Sequence, residues 1–218
     1  MTPFSDPWVR LYAASLPAAI LTTLEITVGG ATIATVGGLL LALGSMSARR
    51  PVVLLSRALT YVARSIPQPP ALLLAYFGLE VVVGASQPDE AAMIALGVLL
   101  APWVGELFRS GIKAVPVGVI EAGQALGLSE AAVQRRIVFP IAFWTMFPTY
   151  GQLMVGLMLS TAIASQIGAK DITGLARPII NGFFASELWP VVAAVYFFVA
   201  FPLSRVLNWI ERRQAIVK

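Results

Sequence analysis

Five long apolar stretches divide the chain, and the charges gather between them. The first covers residues 16–46, interrupted only by Glu25 and small polar residues. The second covers 52–84 and is broken at Pro67, Pro69 and Pro70. The others are 91–112, 141–167 and 188–210. A hydrocarbon core of about 30 Å takes about 20 helical residues. The pattern therefore predicts an all-α polytopic membrane protein with five spans, at 16–46, 67–84, 91–112, 141–167 and 188–210, in a single domain over residues 1–218. Residues 52–65 predict a helix lying near the membrane surface, with span two starting at Pro67. Span one is longer than one crossing, so it tilts or starts outside the core. Its Gly30, Gly37 and Gly44 recur every seven residues, close to two helical turns. They share a face that lets another backbone approach.

Composition agrees. Apolar residues make up 58% and charged residues 12%, against about 25% charged in a soluble domain. Mean hydropathy is +0.82. An ordinary soluble globule and a disordered chain are both excluded. The chain has no Cys and no His, which removes disulfides, thiolate metal sites, the commonest metal ligand and the usual general base. No metal site, no catalytic residue and no nucleic-acid partner are expected. The net charge of +4 reads as topology. Arg49, Arg50, Lys113, Arg135, Arg136, Arg205, Arg212, Arg213 and Lys218 fall on one side of a five-span chain, against Arg10, Lys170 and Arg177 on the other. By the positive-inside rule the N-terminus is outside and the C-terminus cytoplasmic. Asp171 then sits in an exposed outer connection. Residues 1–10 lack the basic-then-apolar order of a cleaved leader, so the first apolar run stays as an anchor.

Residues 113–139, between spans three and four, are too polar to cross and too periodic for a loop. Glu121, Ala122, Ala125 and Leu126 form a short amphipathic run that Gly127 can end. Ser129 is an N-cap for a second run, with Glu130 in its first turn and Arg135 and Arg136 in its last. Pro140 restarts the chain as a new helix. A helix–turn–helix on the cytoplasmic face is either a structural connector or a docking element for a cytosolic partner.

The residues of this stretch resemble the EAA loop of ABC importer permeases: Glu121-Ala122-Gly123, three residues, Gly127, nine residues, then Ile137-Val138-Phe139-Pro140. The family pattern has Ala at the third position and Leu before the Pro; Gly123 and Phe139 depart mildly from it. Arg64-Ser65-Ile66-Pro67, Tyr76-Phe77-Gly78-Leu79 and the run Trp103 to Ile112 resemble the polar amino acid (histidine/glutamate/glutamine/arginine/opine) class of these permeases. The resemblance implies a dimeric five-helix core in the bacterial inner membrane, an ATPase pair below and a periplasmic solute-binding protein above. It implies that Glu121, Ala122, Gly123, Gly127, Ile137 and Pro140 couple to the ATPase, which binds ATP and Mg, and that this chain binds no cofactor. There is no Gly-x-x-x-x-Gly-Lys-Ser/Thr loop here. Many members carry Lys-x-Thr-Ser-Leu in span four. Here it reads Leu159-Ser160-Thr161-Ala162-Ile163, which favours a heterodimer with a diverged second permease.

Charges inside spans are costly unless paired or wetted. Glu106 and Arg109, three apart, pair on one helix face, with Arg64 as a further partner. Glu106 is also a candidate substrate contact. Glu25 faces an aqueous cavity or marks a boundary. Gln152, Ser160 and Thr161 either line a path with neutral hydrogen bonds or make interhelical contacts. The cytoplasmic arginines are expected to be positive-inside residues and contacts for membrane lipids. The expected function is import of a polar or charged amino acid, an opine or a related solute, as a non-catalytic subunit. A passive channel explains the spans but not the loop. An intramembrane enzyme lacks clustered catalytic groups.

Overall fold

The computed structural model describes residues 7–84 and 87–215. Lys218, counted above among the basic residues, lies outside them. Among the described residues every regular element is helical: α1 Pro7–Ser45, α2 Arg50–Ser65, α3 Gln68–Val83, α4 Pro88–Lys113, α5 Val117–Ala125, α6 Glu130–Val133, α7 Phe139–Ser160, α8 Ile172–Phe183 and α9 Leu188–Ala215. A π-turn at Gln134–Val138 joins α6 to α7, and a 3-10 turn at Thr161–Ile167 follows α7.

Two glycine pairs organise the bundle. A methyl added at Gly97 would lie 2.7 Å from the Gly30 carbonyl oxygen, and one at Gly105 would lie 2.8 Å from that of Gly38. Both pairs are 67 residues apart in sequence, so α1 and α4 run parallel, in fixed register, with backbone against backbone. A methyl at Gly37 would meet the Ala101 side chain at 3.1 Å. The small-residue face was legible at Gly30 and Gly37. The third member, Gly44, instead faces Ser56 of α2.

Helix directions follow from contacts. The Gly111 position faces Met146 and Ala142, while Leu157 faces Gly30, so α7 runs against α4. Gly151 faces Leu207, and Val155 and Met158 cluster with Ala200, so α9 runs against α7. α1, α4 and α9 therefore end at one pole, marked here by Lys113, and α7 ends at the other, marked by Pro88. Parallel α1 and α4 require the chain between them to travel back. α2 does so from its start: Ser56 lies beside Gly44, and the Arg64 guanidinium lies 4.2 Å from the ring centre of Trp103. The expectation that residues 52–65 lie along the surface is therefore corrected, since α2 climbs beside α1 and α4. α3 completes the return, burying Leu72 with Ala91, Ala92 and Ala95. The break at Ile66–Pro67 stands where the prolines placed it: Pro67 is extended, with φ −60° and ψ 146°, as a prolyl ring requires of the chain around it.

Among the described residues three helices are long and apolar enough to cross a membrane: Trp8–Ser45, Pro88–Lys113 and Leu188–Arg213. A fourth crossing is available in Glu130–Ile167 with Ile172–Phe183, bent by 44°. α3, at 16 residues, is about 24 Å long at 1.5 Å per residue, short of a crossing by itself.

The α1–α4 seam predicts an asymmetric response to glycine substitution. Gly97→Ala drives a methyl into a carbonyl that cannot rotate away, and overpacking of this kind costs about 1–3 kcal/mol. Gly78→Ala meets nothing within 4 Å and gains helix propensity. Thermal unfolding in mild detergent should show a lower midpoint for Gly97→Ala and an equal or higher one for Gly78→Ala. Equal midpoints would mean that the seam is loose.

Candidate functional site

The segment after α4 is a small folded unit. Lys113 ends α4, Pro116 opens α5, and α5 closes in a Schellman motif. There Gly127 N–H donates to the Gln124 carbonyl at 2.9 Å and Leu128 N–H to that of Gly123 at 3.2 Å. Gly127 has φ +79°, the left-handed conformation the sequence pattern requires of it. Ser129 caps the next turn, accepting from the Ala132 N–H at 3.3 Å. Val115, Val133, Val138 and Ala142 form a core beneath, with Ile120, Leu128 and Ile137 against it.

Three details differ from the sequence expectation. Glu121 is exposed in the middle of α5, not at its start, because the helix begins at Val117. Pro140 does not restart the chain: residues 130–160 are one continuous rod through the π-turn. The wider π spacing, in which Phe139 N–H donates to the Gln134 carbonyl, gives room for a proline that has no N–H of its own. Gly123 is buried, and a methyl there would come within 2.6 Å of Ile137 Cδ1. Glycine at this position of the pattern therefore seats Ile137 against α5. The outward side of α5 carries Glu121, Ala122 and Ala125, with Leu126 82% exposed beside them.

A cleft of about 600 Å³ opens between α1, α2 and α4 toward the Lys113 pole. Within it Arg109 grips Glu106 with two donors, Nε to Oε2 at 3.0 Å and Nη2 to Oε1. That pair was legible from its i, i+3 spacing. Arg64 is not bonded to Glu106: its guanidinium lies over Trp103 on the cleft wall, from where its charge acts on the carboxylate at a distance.

The four expected pathway residues do not form one surface. Glu106 belongs to the cleft, while Gln152 is exposed on α7 and Ser160 is half-buried at the far end of that helix. Thr161 is fully buried and donates to the Met158 carbonyl at 2.8 Å, which places it in helix packing rather than on an open path. Glu25 is exposed on α1 and makes no hydrogen bond or ion pair among the described residues.

At the Pro88 pole lies a buried polar knot. Asp171, expected in an exposed connection, is 0% exposed. It caps α8 by accepting from Gly174 N–H at 2.8 Å and accepts from the Tyr196 hydroxyl at 2.6 Å. Thr173 Oγ1 donates to Tyr196 at 3.2 Å, and Thr23 of α1 accepts from Ile172 N–H at 3.2 Å. The carboxylate thus ties α8 to α9, and the Ile172 N–H to Thr23 bond beside it ties α8 to α1. The available signal was Asp171 followed by Ile172-Thr173-Gly174, an N-cap pattern; the partner Tyr196 lies 25 residues on and carries no local signal.

Residues 34–215 match the family described as binding-protein-dependent transport system inner membrane component. The chain belongs to this family. It is 34% identical to a nopaline transport system permease protein (NocM) of Agrobacterium fabrum, over 93% of this chain and 90% of the relative. It is 29% identical to the histidine/lysine/arginine/ornithine transport system permease protein HisQ of Escherichia coli, over 90% of this chain and 91% of that one. A crystal structure of an amino acid ABC transporter with histidines superposes with a TM-score of 0.85 at 31% identity, covering 93% of this chain and 95% of that one.

In this inner membrane component the polar knot fixes the bent segment after α7. Tyr196→Phe leaves one oxygen of a buried carboxylate without its donor, which costs about 1–3 kcal/mol. Asp171→Asn keeps the cap through its amide oxygen and offers an amide N–H to the Tyr196 hydroxyl, which can accept it and turn its own proton to Thr173. Thermal midpoints should fall further for Tyr196→Phe than for Asp171→Asn, and the double variant should lose less than the sum. Additive losses would show that the two groups are not coupled.

Proposed function

We propose that this chain is the permease subunit of a binding-protein-dependent ABC importer for a polar or charged amino acid or an opine. Family membership and the transporter relatives support the class of machine, and the names of the relatives support the solute class. The chain crosses the inner membrane five times, with the N-terminus periplasmic and the C-terminus cytoplasmic. The alternating directions of α1, α2 with α3, α4, α7 and α9 support this count. α2 and α3 together supply the length that α3 alone lacks. A second, diverged permease completes the pathway, and Leu159 in place of the usual Lys favours that heterodimer.

The observation that carries the proposal is the outward side of α5. It is a short helix with Ala122, Ala125 and Leu126 facing out, and it shares a small core with the π-turn and the start of α7, into which α6 runs without a break. Such a helix transmits a push as a rigid body. ATP and Mg bind the separate ATPase pair, whose closure moves α5 and biases the permease pair from inward- to outward-open. The periplasmic binding protein delivers the solute from the other side.

Gly127→Arg places a side chain at φ +79°, where only glycine is unstrained, and so tilts or displaces α5 without touching the bundle. The complex should still assemble, while transport and binding-protein-stimulated ATP hydrolysis fall together. Glu121→Ala should be milder, because one exposed pair is worth no more than about 1 kcal/mol. Transport per assembled complex is the measurement. An assembled Gly127→Arg complex with full stimulated transport would make the segment a mere connector.

A further inference from the structure

Of the fourteen basic residues among the described ones, eight lie near the connections or toward the end of α9 on the Lys113 side and three on the other. The remaining three, Arg57, Arg64 and Arg109, sit inside apolar runs, where a charge is expensive unless it has a purpose. The fold brings all three into one place. They line the cleft between α1, α2 and α4, with Lys113 alongside and Glu106 as the one carboxylate. Four cations against one anion leave three positive charges.

Those charges are only partly offset by the protein, since Arg64 and Lys113 act on Glu106 without bonding it. Glu106 is fully engaged by Arg109. Arg64 stacks on Trp103, which leaves the in-plane N–H donors of its guanidinium unused. Arg57 and Lys113 make no hydrogen bond or ion pair among the described residues. The walls between these cations are apolar, formed by Leu41, Met46 and Pro102. A pocket in a membrane bundle that carries both unbonded cations and apolar walls matches an anionic head on an apolar tail.

We propose that this cleft binds one anionic phospholipid of the inner leaflet, its phosphate held by Arg57, Arg64 and Lys113 and its acyl chain lying along Leu41 and Met46. The reading rests on the proposed orientation, which puts the Lys113 pole at the cytoplasmic leaflet. Charge decides against a zwitterionic occupant. An amino acid or a phosphatidylethanolamine brings an ammonium group, and the cleft has no free carboxylate to receive it. Arginine forks suit phosphate oxygens, and basic pockets between helices on the cytoplasmic side hold anionic headgroups. A bound lipid would wedge α2 against α1 and α4 at the level where the chain leaves the membrane for α5.

The test is lipid retention by the intact complex. The complex, purified in mild detergent, is incubated with equimolar phosphatidylglycerol, phosphatidylethanolamine and phosphatidylcholine of identical chains, and bound lipid is counted by native mass spectrometry. The wild type should retain phosphatidylglycerol over the other two. Arg57→Gln with Lys113→Gln should cut that retention about twenty-fold, roughly fivefold per charge lost near the headgroup, and leave phosphatidylcholine unchanged. Lys113→Gln alone, at an exposed helix end, gives the fivefold step if the double variant fails to assemble. Equal retention of the three lipids, no retention because the second permease fills the cleft, or unchanged retention in the variants would overturn the proposal. Release of the lipid by millimolar inorganic phosphate or by free arginine would assign the cleft to a soluble ligand and overturn it too. The readout is mass, not transport, so a failure of the coupling role of α5 leaves this result untouched.

Discussion

The backbone contact between α1 and α4 is the constraint on which the rest depends. With glycine at 30, 38, 97 and 105 the two helices approach until carbonyls stand where side chains would be. Inside a bilayer there is little hydrophobic drive to bring helices together, so close packing of this kind must supply the attraction. The parallel register then dictates topology. Two parallel helices joined by about forty residues force the chain between them back along the bundle, and α2 and α3 are that return. The cleft with Arg57, Arg64 and Lys113 lies where α2 runs beside the α1–α4 pair.

The same seam fixes the base of α4, and with it α5. From Lys113 the chain passes through Val115 into a core shared by α5, the π-turn and the start of α7. A displacement of α5 therefore has two rigid exits, into α4 and into α7, and α4 is locked to α1. The opposite pole is tied just as firmly, by Asp171 and Tyr196. Movement of the bundle as a lever, with α5 at one end and the bent segment after α7 at the other, needs both ends to be stiff.

Much of this was legible in the sequence because it rests on local chemistry. Gly127 and Ser129 announce a C-cap and an N-cap, and both occur as read. Glu106 and Arg109 pair because their spacing puts them on one face. The heptad of Gly30 and Gly37 marked the close-packed face, although Gly38, outside that heptad, makes the tighter contact. What failed depends on distant partners. The proline break made residues 52–65 look like a separate surface helix, but a helix with Arg50, Arg57 and Arg64 seven apart also suits a cleft lined by another helix's charges. Pro140 was read as a start signal, and a π-turn removed the conflict that made it one. Asp171 looked like a loop residue because nothing near it in sequence reveals Tyr196 or Thr23. Sequence alone leaves Thr161 between a path and helix contacts, and its burial against Met158 and Tyr196 favours the contacts.

The central claim is that α5 seats on a cytosolic ATPase. The chain has no native cysteine, so Leu126→Cys offers a single thiol on the exposed end of that helix. Together with single cysteines placed along the ATPase subunit's groove, it should form a disulfide cross-link with that subunit in the assembled complex. The yield should change when ATP is bound, and a cysteine at Ser186 near the opposite pole should give none. A cross-link from Ser186 but not from Leu126, or equal silence from both in an assembled complex, would contradict the account.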